Sequence, residues 1–202
     1  MHLVPTEEEV LALLRETGAV KSGNFVYPTG LHSSYFVQMP LAMRYYQTSK
    51  TLCVGLSRKL RAHTEIRAMI PDLSIVAPAP NGLPVAYGIC EALRSKQAYW
   101  AAREDSNGPL RFPQYQEVMP GEKVVLVDDI LRTGKKLGEL KRMVEERGGE
   151  VVAMAVILYQ PAPDTPDFSP VPLYYLAKLD TMYYQDAEAQ AKLTSPPEPV
   201  WI

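Results

Sequence analysis

The feature that most constrains this chain is a series of apolar runs of strand length, separated by segments with helical spacing or by turns. The runs are LSIVAPAP, QAYWAA, EKVVLVDD and VVAMAVILY, which begin at Leu73, Gln97, Glu122 and Val151. Consecutive apolar residues indicate strands that are buried on both faces, and such strands belong mainly to parallel sheets covered by helices. The sequence therefore predicts an α/β fold with a doubly wound parallel sheet.

Helical patterns lie between and before these runs. Thr6 and Glu9 have the spacing of a capping box, and apolar residues then recur at helical spacing up to Gly18. Further helices are predicted over residues 49–63, 83–93 and 135–147. The last of these ends at a pair of glycines, a common helix stop.

Other segments are predicted to lie outside the main sheet. NFVYP and SYFVQM flank Pro28 and Gly30, which predicts a small N-terminal hairpin, or hood, over about residues 20–40. Residues 103–122 carry charges and prolines without a clear period, and a loop of this length is usually functional or mobile. We expect an extended or loosely packed C-terminal tail from about residue 181, and one domain over residues 1–202.

Composition narrows the class of protein. The chain has 202 residues, of which 47% are hydrophobic, enough for one sizeable core. A net charge of −2 provides no broad basic face for nucleic acid or an anionic membrane. Cys53 and Cys90 are too few for a disulfide framework or a zinc cluster. The N-terminal sequence lacks the pattern of a signal peptide and no apolar stretch is long enough to cross a bilayer, so we expect a soluble cytoplasmic protein.

The stretch VVLVDDILRTGKKL, residues 124–137, carries the chemistry. Asp128 and Asp129 lie at the carboxyl end of a predicted strand, where open parallel sheets bind ligands. Adjacent strand residues point to opposite faces, so the two carboxylates are poorly placed to chelate one metal ion together. At about 4 Å they repel by roughly 4 kcal/mol at an effective dielectric of 20. A ligand rich in hydroxyl groups would supply hydrogen-bond donors without adding charge.

The turn after the two acids indicates a phosphate site. Arg132, Thr133, Gly134, Lys135 and Lys136 lead directly into a helix, whose start offers free N–H groups and a partial positive charge. Carboxylates for a diol beside a phosphate pocket imply a ribose 5-phosphate ligand. The strand alone also fits P-loop NTPases and response regulators. However, the sequence has no GxxxxGK[ST] motif, and the acidic pair lies past the middle of the chain.

The complete stretch resembles the phosphoribosyl pyrophosphate (PRPP) signature of type I phosphoribosyltransferases. FVYPTGLHSSYFVQ, VAPAPNGLPVAYGICEAL, AYWAARED and VMPGEKVVLVDD, beginning at Phe25, Val76, Ala98 and Val118, resemble in the same order segments of the orotate branch of that family. The resemblance extends over about residues 20–180. It implies an enzyme that transfers the phosphoribosyl group of PRPP to a nucleobase, with orotate as the leading base and pyrophosphate as the leaving group.

The resemblance also implies roles for individual residues. Asp128 and Asp129 would hold the ribose hydroxyls, and residues 132–136 the 5-phosphate. The loop with Pro80, Asn81 and Gly82, together with Arg103, would contact pyrophosphate. Mg²⁺ is the implied cofactor, held mainly by PRPP and water without direct protein ligands. The family also implies a homodimer and a flexible lid, here the loop after Arg103.

The implied base site lies in the hood. Phe25, Tyr27 and Tyr35 would stack on the base, or would simply pack the hairpin. Gln160 stands where orotate enzymes usually carry an arginine near the carboxylate of the base. His32 is expected to be a structural or an exposed histidine instead of a catalytic one, and Arg44 either pairs with that carboxylate or caps the region.

Departures from the family pattern leave alternatives open. The phosphate turn reads RTGKK instead of TTGGS or TTGGT, and the lid has Arg111, Phe112 and Pro113 where a second basic residue is common. Together with Gln160, these differences leave two alternatives beside orotate. The first is a phosphoribosyltransferase for another base, of the purine-salvage type. The second is a regulatory protein that senses PRPP or a nucleotide without turnover.

Overall fold

The computed structural model describes residues 4–105 and 108–200. Its N-terminal part contains a helix and a hairpin. Helix α1, Glu7–Glu16, begins with the predicted capping box: Thr6 Oγ1 accepts a hydrogen bond from the Glu9 N–H at 3.2 Å, and the Thr6 N–H donates to Glu9 Oε2 at 2.8 Å. Strands β1, Val20–Val26, and β2, His32–Val37, pair antiparallel as predicted. Helices α2, Pro40–Met43, α3, Tyr46–Arg61, and α4, Thr64–Met69, follow.

The remaining chain builds the main sheet. Its elements are β3, Ser74–Pro78; α5, Leu83–Leu93; β4, Gln97–Ala101; β5, Lys123–Leu131; α6, Lys135–Glu145; β6, Glu150–Tyr159; and β7, Leu173–Lys178. Within the described residues the order is β4-β3-β5-β6-β7, and all neighbouring strands are parallel. The predicted α/β parallel sheet is confirmed.

The main sheet is buried on both faces, as its apolar runs indicated. Val125 and Val127 of β5 pack into a core with α1, α3 and α5, whereas Val124 and Leu126 pack into a second core with α6. Successive strand residues alternate between the two cores, as the pleat requires. Within the described part of the chain, no helix combines the length and apolar character needed to cross a membrane.

Strand β7 was not predicted from the sequence. Leu173–Lys178 forms an edge of the main sheet, and its first residues are only partly buried. An edge strand pairs on one side, so LYYLAK lacks the continuous apolar character of the central strands. Its place became visible only through its parallel pairing with β6.

The tail is more ordered than the expected loosely packed end. It forms β8, Tyr183–Tyr184, α7, Asp186–Lys192, and β9, Pro197–Pro199. Strands β8 and β9 flank the hairpin in the order β8-β2-β1-β9, which we call the hood sheet. Two prolines are tolerated in β9 because it is an edge strand and needs few backbone donors. The hood therefore joins both ends of the chain.

Candidate functional site

Asp128 and Asp129 lie inside β5, which continues past them to Leu131. Both side chains are buried, with 3% and 2% of their surface exposed. Asp128 Oδ1 accepts a hydrogen bond from the Asp129 N–H at 2.9 Å, and Asp129 Oδ1 accepts one from the Ile130 N–H at 2.8 Å. Burial raises the pKa of both carboxyls, and the charge of Asp129 further raises the pKa of Asp128, while the positive charge of Lys136 opposes both shifts. A binding partner that donates hydrogen bonds here would relieve an electrostatic cost.

The loop after β3 adjoins these carboxylates. The Ala79 N–H donates to the Ala101 carbonyl at 2.8 Å, which ties the loop to the end of β4. A Cβ atom on Gly82 would lie 2.7 Å from the Pro78 carbonyl oxygen and 3.2 Å from Asp128 Oδ1, so the close approach requires glycine. Pro80 is exposed and follows a cis peptide bond, and Asn81 is half-buried. The structure thus brings the predicted pyrophosphate loop to the predicted ribose site.

The predicted phosphate turn forms a small cleft at the start of α6. The cleft has a volume of about 100 Å³ and is lined by residues 128 and 130–137. Gly134 precedes the helix with a φ of +71°, and no side chain of the described residues caps that end. The first N–H groups of a helix lack partners within the helix, so they remain available to an anion. Thr133 is half-buried, and Lys135 and Lys136 are exposed beside the cleft.

Arg132 connects this turn with the hood sheet. Its Nη1 donates a hydrogen bond to the Tyr27 hydroxyl at 2.6 Å, and its guanidinium carbon lies 4.6 Å from the centroid of the Tyr27 ring. A predicted phosphate residue and a predicted base residue are therefore in direct contact.

The other hood aromatics make packing contacts, with Phe25 buried and Tyr35 half-buried. Phe25 is 3% exposed, and its ring lies 5.5 Å from that of Phe36. Tyr35 packs against the main core from the opposite side of the hood. Packing is the role that these contacts document, and stacking of Phe25 or Tyr35 on a base stays a prediction.

His32 and Arg44 also have defined places. His32 Nδ1 lies 2.6 Å from Asn24 Oδ1, and its Nε2 lies 3.3 Å from Asp186 Oδ1 on α7. The histidine therefore joins the hairpin to the tail, as its expected structural role requires. Arg44 is exposed with its guanidinium over the Tyr45 ring.

Gln160 follows β6 and is fully buried. Its N–H donates to the Leu131 carbonyl at 2.9 Å, and its Nε2 donates to Thr181 Oγ1 at 2.8 Å. Among the described residues no donor reaches its Oε1, and the buried Tyr183 hydroxyl likewise has no partner. Buried polar atoms are rarely left unpaired, so each atom is a candidate for a hydrogen-bond partner that the described residues do not supply. The sequence did not indicate Tyr183 as a site residue, because it lies in the predicted tail and nothing but the pair of tyrosines marked it.

Arg103 follows β4 and is held by the base of the predicted lid. Its Nη2 forms an ion pair with Glu139 of α6, and its Nη1 donates to the Gly108 carbonyl. Glu139 Oε1 also accepts a hydrogen bond from the Leu110 N–H at 2.7 Å.

Part of the remaining predicted lid packs against the protein, and the rest of its described side chains are exposed. Arg111 is exposed, and its backbone bridges Ala102. The Phe112 ring lies 5.8 Å from that of Tyr99. Pro113 is exposed, and residues 106 and 107 lie outside the described residues.

Comparison with known proteins decides the family. Residues 48–171, more than half of the chain, match the family described as the phosphoribosyl transferase domain. This chain belongs to the phosphoribosyltransferase family. The matched region of this phosphoribosyltransferase contains the loop after β3, the acidic pair and the phosphate turn, whereas the β1–β2 hairpin precedes it.

Named relatives agree with this assignment. The phosphoribosyltransferase is 34% identical over 87% of its length to "Orotate phosphoribosyltransferase" of Carboxydothermus hydrogenoformans, of which it covers 87%. It is 34% identical over 94% of its length to "Orotate phosphoribosyltransferase 2" of Mesorhizobium japonicum, of which it covers 94%. Among solved structures, that of orotate phosphoribosyltransferase from Aeropyrum pernix matches with a TM-score of 0.67 at 20% identity, over 84% of this chain and 93% of that one. The last likeness establishes the type I phosphoribosyltransferase fold.

Proposed function

We propose that this phosphoribosyltransferase transfers the 5-phosphoribosyl group of PRPP to orotate, which yields orotidine 5-phosphate and pyrophosphate. The observation that carries the proposal is 34% identity, over most of both chains, to orotate phosphoribosyltransferases from two bacteria. The site supports it with an acidic pair, a phosphate cleft and a glycine loop near the carboxyl ends of the inner strands β3 and β5.

The geometry suggests where PRPP would bind. The ribose hydroxyls would donate to Asp128 and Asp129, which favours their charged forms against the burial that raises their pKa. The 5-phosphate would accept hydrogen bonds from the first N–H groups of α6, next to Thr133 and Lys135. Pyrophosphate would lie toward Gly82, which is close to Asp128 and permits a near approach of the backbone.

The proposed reaction is a displacement at the anomeric carbon. A ring nitrogen of orotate forms a bond to that carbon and gives up its proton to water or to the departing pyrophosphate. The bond from the carbon to the pyrophosphate oxygen breaks, and the leaving group takes the electron pair. The protein contributes by holding the two reactants in line and by stabilising the developing negative charge. Arg103 would supply positive charge to pyrophosphate after leaving Glu139, and the lid would exclude water from the cationic sugar.

The site also fits a magnesium ion bound with the substrate. The ion would be held mainly by PRPP and water, because within the described residues no group of three or more His, Cys, Asp or Glu side chains could hold a metal ion. Mg²⁺ is commonly held by one or two carboxylates, water and substrate phosphates. When bound, it would neutralise charge on the departing pyrophosphate.

Incubation of the purified protein with PRPP, Mg²⁺ and a panel of bases tests the proposal. Orotate should be consumed with equimolar release of pyrophosphate, and orotidine 5-phosphate should appear in the product. The matched control omits PRPP. Binding of PRPP without turnover of any base would instead favour the sensor alternative.

One observation favours a second candidate, a phosphoribosyltransferase for another base. Gln160 is neutral, fully buried and bonded to Thr181, so it offers no charge to a base carboxylate. Turnover of hypoxanthine, guanine or adenine with no turnover of orotate would support this candidate. The homodimer implied by the family resemblance stays a prediction for either enzyme.

A further inference from the structure

The side chain of Arg132 leaves the phosphate turn and reaches the hood sheet. Its backbone is fixed, because its carbonyl accepts hydrogen bonds from the Ala162 N–H at 3.3 Å and from Thr165 Oγ1. Its guanidinium lies over the Tyr27 ring and donates to the Tyr27 hydroxyl at 2.6 Å. The positive charge of Arg132 is thereby held where the phosphate turn meets the hood sheet.

The charge of Arg132 has no acidic partner in the described part of the chain. None of the ion pairs there includes it, and its documented side-chain contacts are those with Tyr27. A guanidinium has five N–H donors, of which this contact uses one. The side chain is half-buried. Because a guanidinium is planar, its remaining donors form a fork whose geometry matches that of a carboxylate.

Two polar side chains without a complete set of partners belong to residues near Arg132. Gln160 is bonded through its N–H to Leu131, the residue before Arg132, and its buried Oε1 has no donor among the described residues. The buried Tyr183 hydroxyl also lacks a partner. Burial raises the pKa of Tyr183 to about 12, Tyr27 and the charge of Asp164 add to this rise, and the charge of Arg132 opposes it. Arg132 thus lies close to the unpaired Tyr183 hydroxyl, and it forms no ion pair within the described residues although the charge of Asp164 also acts there.

We propose that Arg132 is a specificity-determining residue that binds the carboxylate of the base. The inference rests on the proposed function, since it assigns the residue that distinguishes orotate from an uncharged pyrimidine. It moves Arg132 from the phosphate site to the base site. In this arrangement the Arg132 guanidinium supplies the positive charge that the neutral Gln160, after β6, does not supply.

Steady-state kinetics of the variants R132Q and R132K, with orotate and with uracil, test this assignment. Uracil has the same ring without the carboxylate. R132Q should lower kcat/KM for orotate by about 10-fold to 100-fold, the range expected for a hydrogen bond to a charged group. Its KM for PRPP and its activity with uracil should stay within about twofold of the wild type. R132K should lie between, because it keeps the charge but loses the fork.

The exposed Arg67 on α4 provides a matched control: R67Q loses the same charge and should behave like the wild type. A KM for PRPP that rises in R132Q while orotate kinetics stay unchanged would return Arg132 to the phosphate site and overturn the inference. If R132Q does not fold, as judged by its Tm, R132K decides: equal orotate kinetics in R132K and wild type would also overturn it. A wild-type protein that does not use orotate would refute the proposed function as well, whereas an active wild type with undiminished variants refutes this inference alone.

Discussion

Asp128 Oδ1 accepts a hydrogen bond from the Asp129 N–H across 2.9 Å, so two buried acidic residues are directly linked within β5. Burial, and then the charge of Asp129, raises the pKa of Asp128 well above its usual value of 3.8. The neutral acid therefore favours the folded state. This contribution is complete below the unfolded pKa and is lost as the pH rises through the folded pKa.

Replacing Asp128 by Asn should therefore raise the Tm at pH 8 while weakening PRPP binding by about tenfold or more, because a charged hydrogen-bond acceptor is lost. The gain in Tm should shrink as the pH falls toward 5. Thermal melts across pH and calorimetric titration with PRPP measure the two effects. D72N, at an exposed aspartate before β3, serves as the control. Unchanged PRPP affinity in D128N would contradict the assigned ribose site.

Gly134 combines a left-handed backbone with close neighbours. A Cβ atom there would lie 2.8 Å from Pro166 Cδ and 3.0 Å from Phe168 Cζ. Gly134→Ala should cost about 1–2 kcal/mol for the backbone and about 1–3 kcal/mol for the overlap, and should also raise the KM for PRPP. Gly18→Ala is a matched control, because Gly18 has a φ of +73° but a Cβ atom there would meet no described atom within 4 Å. Equal losses of Tm in the two variants would show that the contact with Pro166 is unimportant.

Glu139 holds both Arg103 and the base of the lid. Its two carboxylate oxygens contact the Arg103 guanidinium and the Leu110 N–H. Glu139→Gln should weaken the hold on Arg103 and lower the KM for PRPP by about threefold to tenfold, the difference between a charged and a neutral hydrogen bond. Glu145→Gln removes an exposed pair with Lys141 on the same helix and should leave KM unchanged. A raised KM in E139Q would mean that Glu139 positions Arg103 for the ligand instead of restraining it.

Val200 packs against Phe25 and Tyr27 in the small core of the hood. Val200→Ala should cost about 1.5–2 kcal/mol, the value of two buried methylene equivalents. In a chain of this size the Tm should fall by about 2–4 °C per kcal/mol. The KM for orotate should rise while that for PRPP stays constant, because the hood is loosened and the phosphate turn is not. Glu198→Gln, at an exposed neighbour in β9, is the control.

The sequence predicted elements whose patterns are local. Helix α5, Leu83–Leu93, matches the predicted range because its boundaries are marked by Gly82 and by an apolar face. The acidic pair and Gly134 could be recognised for the same reason, because the strand, the turn and the start of the helix follow one another directly along the chain.

Contacts between distant residues could not be predicted in this way. The pairing of β9 with β1 joins residues such as Pro197 and Asn24, and no local pattern in PEP indicates a strand. The contact of Arg132 with Tyr27 likewise depends on how the hood docks onto the main sheet. A periodic pattern reports which face is buried, but not which distant segment covers it.

The hood sheet draws its strands from residues 20–37 and from the last twenty or so residues of the chain. During synthesis, the N-terminal hairpin must wait until residues 183–199 have been made before its outer strands arrive. A nascent chain can therefore assemble its phosphate cleft, which lies within residues 128–137, before the hood sheet is complete.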